Sequence, residues 1–235
     1  MAVVNYAHRG ASEYYPENTL WSFYAGMEMG ADGIETDIQR TKDGVLVLHH
    51  DDTIERVTGE KGKIQDYTYD QLLKMDFGIF KGARFAGEKI VTLDTFLTHF
   101  GQKKLNLALE IKQLGVEEET LKVIEKHACS ASITLTSFLF ESVKAIRSLD
   151  QKIPVGYLTD AITEGVLKSL KENRIVQICP RVDLVQPEDM EMARSRGFSV
   201  RFWGVKDEQL MKRAIELKGD GMTVNFPDLL TAALR

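Results

Sequence analysis

Short apolar runs alternate with amphipathic segments along most of this chain. Nine of the runs have the length and composition of strands, and they cover residues 3–8, 33–38, 45–50, 105–111, 133–137, 155–158, 175–178, 199–205 and 221–224. Between them, apolar residues spaced three and four apart predict helices over 19–29, 118–127, 139–149, 163–172, 187–196 and 206–217, with another helix starting near 91–94. This alternation predicts an α/β fold in which helices connect parallel strands.

The second and third predicted strands lie too close together in the sequence to be parallel neighbours. Only residues 39–44 separate them, with Lys42-Asp43-Gly44 as turn formers, whereas a parallel crossover requires about a dozen residues or more. We therefore expect these two runs to form an antiparallel hairpin. Without the returning arm eight strands remain, and the prediction is a (β/α)8 TIM barrel. A doubly wound open sheet is the alternative that the pattern leaves open.

From about residue 51 to residue 89 the alternation of strands and helices lapses. We interpret 51–89 as a small insertion after the second barrel strand. Its aromatic residues either form a core of the insertion or line an apolar groove, and they are Tyr67, Tyr69, Phe77, Phe80 and Phe85. A length of 235 residues suits one barrel domain that spans 1–235 and contains this insertion.

Composition and charge narrow the class of protein. Hydrophobic residues make up 43% and charged residues 28% of the chain, a balance typical of a globular protein rather than a disordered one. The formal net charge of -5 and the lack of a Lys/Arg run argue against nucleic acid as a partner. The two cysteines, Cys129 and Cys179, are far apart and lack CxxC spacing, so neither a disulfide framework nor a thiolate zinc site is expected.

The first residues and the length of the apolar runs bear on location. Residues 1–5 lead directly into a strand-like run without the pattern of a signal peptide, so we expect a cytoplasmic protein. The apolar runs are of strand length and too short for a bilayer, so stable membrane insertion is not expected. The sequence leaves assembly into a homo-oligomer open.

Carboxylates occur in strands whose other positions are apolar. In a barrel of this kind the active site lies at the carboxyl ends of the strands. Glu35 and Asp37 are two apart on the second predicted strand, so their side chains share one face, and Glu110 lies at the end of the neighbouring barrel strand. Three carboxylates suit a hard divalent cation, Mg²⁺ or Ca²⁺. Ordinary ion pairing with Lys or Arg is the alternative.

Two histidines are expected beside these carboxylates. A hairpin that pairs Gln39 with Val45 brings His49 and His50 close to Glu35, and His8 ends the neighbouring first strand. Two imidazoles beside a cation supply a general acid and a general base near neutral pH, as cleavage of a P–O bond requires. The remaining histidines are interpreted as ordinary core or surface residues, and they are His49, His99 and His127.

Two cations lie beside candidate site residues in the sequence, Arg9 after His8 and Lys112 after Glu110. Arg9 suits a phosphoryl group through a bidentate fork, and Lys112 suits it as a point charge. Ordinary ion pairing of both cations with the carboxylates is the alternative.

Six short motifs follow one another in an order and at a spacing that are highly specific when taken together. They are His8-Arg9-Gly10-Ala11, Pro16-Glu17-Asn18-Thr19, Glu35-Thr36-Asp37, Thr41-Lys42-Asp43-Gly44, His50-Asp51-Asp52-Thr53 and Glu110-Ile111-Lys112. Together they resemble the glycerophosphodiester phosphodiesterase family. Further matches at Phe202-Trp203 and from Asp220 to Leu230 extend the resemblance over essentially the whole chain. The resemblance implies a TIM barrel with a small insertion after the second strand.

The resemblance also implies roles for individual residues. It implies that His8 and His50 are the catalytic pair. It implies that Glu35, Asp37 and Glu110 are the metal ligands. The substrate-binding residues that it implies are Arg9, Lys112 and Trp203. Trp203 resembles the family's aromatic wall for the glycerol moiety, and a large core side chain is its alternative.

The chain departs from the family pattern at three places outside these sets. The family commonly has Trp-Thr-Val-Asn where this chain has Trp203-Gly204-Val205-Lys206, an aspartate where it has Asn225, and a threonine where it has Val57. We expect these differences to affect the alcohol-binding side rather than activity.

The expected reaction is metal-dependent hydrolysis of a glycerophosphodiester to sn-glycerol 3-phosphate and an alcohol, with two histidines as acid and base. A phosphodiesterase that acts like lysophospholipase D and a barrel that binds phosphodiesters without cleaving them are the alternatives. Which histidine is the acid and which is the base stays open. Whether water attacks directly or a cyclic phosphate intermediate forms first also stays open.

Overall fold

The strands of the computed structural model, which describes residues 3–235, close into a barrel. They are β1 (Val4–His8), β2 (Gly33–Arg40), β3 (Leu46–Leu48), β4 (Asn106–Ile111), β5 (Ser132–Ser137), β6 (Val155–Thr159), β7 (Gln177–Pro180), β8 (Ser199–Val205) and β9 (Gly221–Val224). Every strand except β3 pairs in parallel with its barrel neighbours, and β1 pairs with both β9 and β2. The predicted (β/α)8 TIM barrel is confirmed, and the open sheet is excluded.

Helices lie at the seven places where the sequence predicts them, and the described chain has three more α-helices, two in the insertion and one after the last strand. The helices are α1 (Leu20–Glu28), α2 (Glu55–Thr58), α3 (Tyr69–Leu72), α4 (Leu93–Phe100), α5 (Glu117–His127), α6 (Phe140–Leu149), α7 (Glu164–Glu172), α8 (Pro187–Ser195), α9 (Glu208–Glu216) and α10 (Pro227–Ala233). Helix α1 begins where the Thr19 hydroxyl accepts a hydrogen bond from the backbone N–H of Ser22. No helix in the described part of the chain is long and apolar enough to cross a membrane.

The main core lies between the outer face of the barrel and the helices. Phe23 of α1 packs edge-on against Phe96 of α4, with ring centroids 4.9 Å apart, and both side chains are fully buried. Burial of one such side chain contributes about 1.5–3 kcal/mol. This contact joins α1 to α4 on the outer face of the barrel.

Strands β2 and β3 form the predicted antiparallel hairpin, but the predicted register is wrong by two residues. Gln39 lies opposite Val47 rather than Val45. The turn is centred one residue later than expected, because the Thr41 hydroxyl donates to Asp43 and accepts from the backbone N–H of Val45. As a result the backbone N–H of His49 donates to the carbonyl of Asp37.

Residues 51–89 form the predicted insertion and consist of short helical turns, including α2 and α3. They enclose a small core of their own, formed by Val47, Ile54, Val57, Ile64, Leu72, Phe77 and Ile90. Of the aromatic residues named from the sequence, Phe77 is buried in this core, and Tyr67, Tyr69 and Phe80 pack against it. Phe85 instead contacts Tyr15, with ring centroids 5.6 Å apart.

Candidate active site

Glu35, Asp37 and Glu110 meet at the carboxyl ends of neighbouring strands. Asp37 of β2 lies beside Glu110 of β4 in the parallel ladder, and Glu35 shares the inner face of β2 with Asp37. One carboxylate oxygen from each residue lies within 4.8 Å of the other two, and all three side chains are buried. This acidic triad has the oxygen donors and spacing that a hard divalent cation prefers.

The electrostatics of the acidic triad also fit a cation. Burial raises the pKa of Glu35 and of Glu110, and the neighbouring carboxylates raise both further. Burial raises the pKa of Asp37 as well, but Arg9 and other nearby cationic groups outweigh it and lower the pKa overall. Glu35 Oε2 and Asp37 Oδ1 are buried and have no hydrogen-bond partner in the described chain. A cation would satisfy both atoms.

His8 is placed beside the acidic triad at the end of β1. Its Nε2 lies 3.7 Å from Glu35 Oε2, as the parallel pairing of these two residues requires. Its Nδ1 lies 2.6 Å from Asn225 Oδ1. With Nδ1–H donating to that oxygen, Nε2 faces the carboxylates without a proton. Burial and then Arg9 lower the pKa of His8, so the imidazole is neutral at neutral pH.

His50 is held by a chain of hydrogen bonds that the sequence did not predict. Its Nδ1 lies 2.8 Å from Asp51 Oδ1, and Asp51 Oδ2 accepts a hydrogen bond from Arg56 Nε at 2.6 Å. Arg56 also donates to both carboxylate oxygens of Glu17, and Glu17 accepts a further bond from Arg9. The insertion thereby connects His50 to the first barrel loop. Glu17, Asp51 and Arg56 lie in or beside the motifs quoted from the sequence. That position was the signal from which their role could have been predicted.

The other histidines lie away from this group, as predicted. His49 is buried, its Nε2 donates to the carbonyl of Thr53 at 3.1 Å, and its ring packs edge-on against Phe77 of the insertion. His49 and His50 directly follow β3, and their side chains have separate partners even though the hairpin register differs from the predicted one. His99 bonds to Tyr24, and His127 lies 3.1 Å from Asp94, both on the outer helices.

Arg9 and Lys112 both pair with the acidic triad. Arg9 Nε lies 3.4 Å from Asp37 Oδ2, and Lys112 Nζ lies 2.9 Å from Glu110 Oε1. Both side chains keep a partly exposed surface, at 14% and 18%. A second partner of Asp37 was missed in the sequence, since the amide of Asn18 donates to Asp37 Oδ2 at 3.1 Å.

Trp203 lies at the carboxyl end of β8 and is half-buried. Its indole N–H donates to the carbonyl of Thr159 at 2.9 Å, and its ring packs edge-on against the exposed Phe138. The guanidinium of Arg181 lies 5.9 Å from the centre of the ring. Gly204 has a φ of 75°, and a Cβ there would stand 3.0 Å from Arg181 Cγ, so glycine leaves room for this stack. Trp203 therefore belongs to the rim of the barrel rather than to its core.

Known proteins share both the sequence and the fold of this chain. The model of the glycerophosphoryl diester phosphodiesterase family matches residues 8–229. A glycerophosphodiester phosphodiesterase of Caldanaerobacter subterraneus subsp. tengcongensis is 32% identical over 97% of this chain and 96% of its own length. One from Bacillus subtilis is also 32% identical, over 97% of this chain and 85% of its own.

Among solved structures, a phosphodiesterase of Oleispira antarctica in complex with the product sn-glycerol-3-phosphate has a TM-score of 0.91. It is 26% identical in sequence, with 99% of this chain and 97% of that one covered. The family match extends from His8, at the end of the first barrel strand, to α10. With this coverage and a relative above 30% identity over nearly the full length, the chain belongs to the glycerophosphoryl diester phosphodiesterase family.

Proposed function

We propose that this phosphodiesterase hydrolyses glycerophosphodiesters to sn-glycerol 3-phosphate and an alcohol, with a Mg²⁺ or Ca²⁺ ion held by the acidic triad. One observation carries the proposal. Two histidines, each bound through Nδ1 to an oxygen acceptor, accompany three buried carboxylates at the carboxyl end of one barrel. Bound in this way, each histidine has Nε2 free for proton transfer.

The two histidines differ in their partners, and this difference suggests their roles. His8 is neutral and bonded to an amide, so we assign it as the base that takes a proton from the attacking hydroxyl. His50 adjoins the Asp51 carboxylate, which stabilises a protonated imidazole, so we assign it as the acid that protonates the departing alcohol oxygen. The attacking group is water or a glycerol hydroxyl.

Arg9 and Lys112 suit the phosphoryl group in this scheme. Each stands beside a carboxylate of the triad and is partly exposed, so its donors can bind non-bridging phosphoryl oxygens while the pairing persists. When bound, the divalent cation would neutralise charge that develops on the same oxygens. We assign Trp203 as a wall for the glycerol moiety, because its exposed face stands at the barrel rim.

Release of product tests this proposal against binding without cleavage. Glycerophosphocholine incubated with the protein and Mg²⁺ is expected to yield sn-glycerol 3-phosphate, which a coupled dehydrogenase assay detects. Saturable binding of glycerophosphocholine with no release of sn-glycerol 3-phosphate would establish the non-catalytic alternative instead.

The lysophospholipase D-like alternative requires an apolar groove for an acyl chain. Phe77 is buried inside the insertion, and Tyr67, Tyr69 and Phe80 pack on the same core, which favours a core of the insertion over an apolar groove. A comparison of turnover on glycerophosphocholine and on lysophosphatidylcholine decides between the two substrates, and we expect the former to be the better one.

Phe80→Ala is expected to change the preference among alcohol head groups more than it changes stability. Phe80 is partly buried on the core of the insertion, and its ring is 5.8 Å from the guanidinium carbon of Arg56, which bonds to Asp51 beside His50. Phe77→Ala is the control, because loss of this buried ring costs about 3–5 kcal/mol of stability. The measurements are kcat/KM for choline, ethanolamine and glycerol diesters and the Tm. An unchanged preference in Phe80→Ala would contradict a role of the insertion in the alcohol pocket.

Arg56→Ala is expected to lower kcat roughly tenfold to a hundredfold with little change in KM, because His50 loses the support of Asp51 and Glu17. Arg56→Lys keeps the charge but not the planar fork, so most of the loss should remain. Arg84→Ala, which removes another arginine of the insertion, serves as the control. Normal kcat in Arg56→Ala would show that the hydrogen-bond chain does not position His50.

Three further expectations from the sequence stay predictions. We propose that residues 1–235 act as a single domain, because the family match covers 8–229 and the barrel joins β1 to β9. A cytoplasmic location and the lack of a nucleic acid partner are proposed with it. Assembly into a homo-oligomer stays open.

A further inference from the structure

Arg201 is a buried cation inside the barrel. It lies on the inner face of β8, two residues before Trp203, and only 2% of it is exposed. The interiors of TIM barrels are filled mainly by branched apolar side chains, so an arginine there is unusual. Its guanidinium lies 5.4 Å from the centre of the Tyr6 ring. A Cβ at Gly33 or Gly221 would stand 2.9 or 3.0 Å from that ring, so the two glycines leave room for the Tyr6–Arg201 stack.

Arg201 has few partners for a buried charge. Its Nε lies 3.5 Å from Gln177 Oε1, its Nη2 has no hydrogen-bond partner, and it forms no ion pair with any described carboxylate. A buried charge is costly unless other charges compensate for it. The nearby Cys179 is the first group to consider, but burial raises the pKa of its thiol, which favours the uncharged form. The acidic triad is then the charged group that compensates for Arg201 from within the barrel. Tyr6, on which Arg201 stacks, pairs with Gly33 of β2, two residues before Glu35 on the same strand face, so the Tyr6–Arg201 stack lies on the interior side of Glu35. The positive charge of Arg201 also lowers the pKa of Glu35.

The three carboxylates thus have three cations around them. Arg9 pairs with Asp37 and Lys112 with Glu110, both from the side that faces the solvent. Arg201 acts on Glu35 from the closed interior, where no substrate reaches. The three cations balance the three carboxylates, so a divalent ion would leave the whole site positive and suited to an anionic phosphoryl group.

We propose that Arg201 is a fixed internal counter-charge that weakens binding of the divalent cation at the acidic triad and strengthens binding of the phosphoryl group. The proposal rests on the metal site proposed above. A charge in this position repels the cation and attracts the anion, and in a protein interior each effect is on the order of tenfold in affinity. Arg201 is a positioning residue in this sense, because it touches neither ligand.

Calorimetry on an Arg201→Met variant tests the proposal, since the two affinities should change in opposite directions. In one mildly alkaline buffer, the Kd for Mg²⁺ is expected to fall about tenfold and the Kd for sn-glycerol 3-phosphate to rise about tenfold. The binding of sn-glycerol 3-phosphate is measured both with and without Mg²⁺. A damaged site would weaken the binding of both ligands. Weaker binding of both ligands, or unchanged affinities for both, would overturn the proposal.

Two matched variants complete the test. Arg201→Lys keeps the charge and should retain both wild-type affinities. Arg201→Gln removes the charge but keeps a polar end, and it is used in place of Arg201→Met if that variant does not fold. Arg147→Met removes another buried arginine, which donates to carbonyls after α6 at the opposite end of the barrel, and should change neither affinity. If the wild-type protein binds neither Mg²⁺ nor Ca²⁺, the metal-dependent function fails, and the metal-free phosphate measurement still decides the role of Arg201.

Discussion

His8→Ala and His50→Ala are each expected to lower kcat by about two to four orders of magnitude, the usual effect of removing a positioned acid or base. Each histidine is bound at Nδ1, by Asn225 or by Asp51, so its Nε2 is the atom that transfers a proton in the proposed reaction. Binding of Mg²⁺ by calorimetry should change little, because neither histidine belongs to the acidic triad. The double variant should be little worse than either single one, since the two act as a unit.

His49→Ala is the matched control for these variants. The ring of His49 packs on Phe77 and its Nε2 donates to Thr53, so its loss should lower the Tm and cost far less activity. The reverse result, with His49→Ala inactive and His50→Ala nearly normal, would remove His50 from the catalytic pair.

The barrel and much of the candidate site follow from local patterns in the sequence. Strand-length runs separated by helical spacing predicted each barrel strand, and the short link between β2 and β3 predicted the hairpin. The side chains of Glu35 and Asp37 share a face because strand residues alternate, and Glu110 joins them because parallel strands end at the same edge. No long-range information was necessary for these steps.

The features that the sequence did not predict depend on side-chain contacts, some of them between residues far apart in the chain. The hairpin register differs by two residues because side chains of Thr41 and Asp43 hold the turn, and side-chain bonds of this kind are not visible in a strand pattern. Arg56 bonds to Glu17, which is 39 positions away in the chain. Arg201 lies in a strand that the sequence predicts, but only the closed barrel shows that its side chain is buried in the barrel interior.

Removal of divalent cations is expected to abolish activity, and addition of Mg²⁺ or Ca²⁺ is expected to restore it. Burial raises the pKa of Glu35 and Glu110, and repulsion between the carboxylates of the acidic triad raises both further. A cation relieves both effects and would neutralise the phosphoryl oxygens. The measurement is release of sn-glycerol 3-phosphate after exhaustive treatment with EDTA and after titration with each ion. Full activity in the chelated protein would exclude the metal assignment.

Substitutions in the triad separate the role of the metal from that of the fold. Asp37→Asn and Glu110→Gln should match the chelated enzyme in activity and lose the increase in Tm that Mg²⁺ gives the wild type. Because the folded protein raises the pKa of Glu110, its ionised form destabilises the fold above that pKa, and Glu110→Gln should raise the Tm of the metal-free protein in alkaline buffer. Asp220→Asn is the control, since Asp220 accepts a backbone bond at the opposite end of the barrel and should change neither property. A Glu110→Gln variant that keeps its response to Mg²⁺ would remove Glu110 from the ligand set.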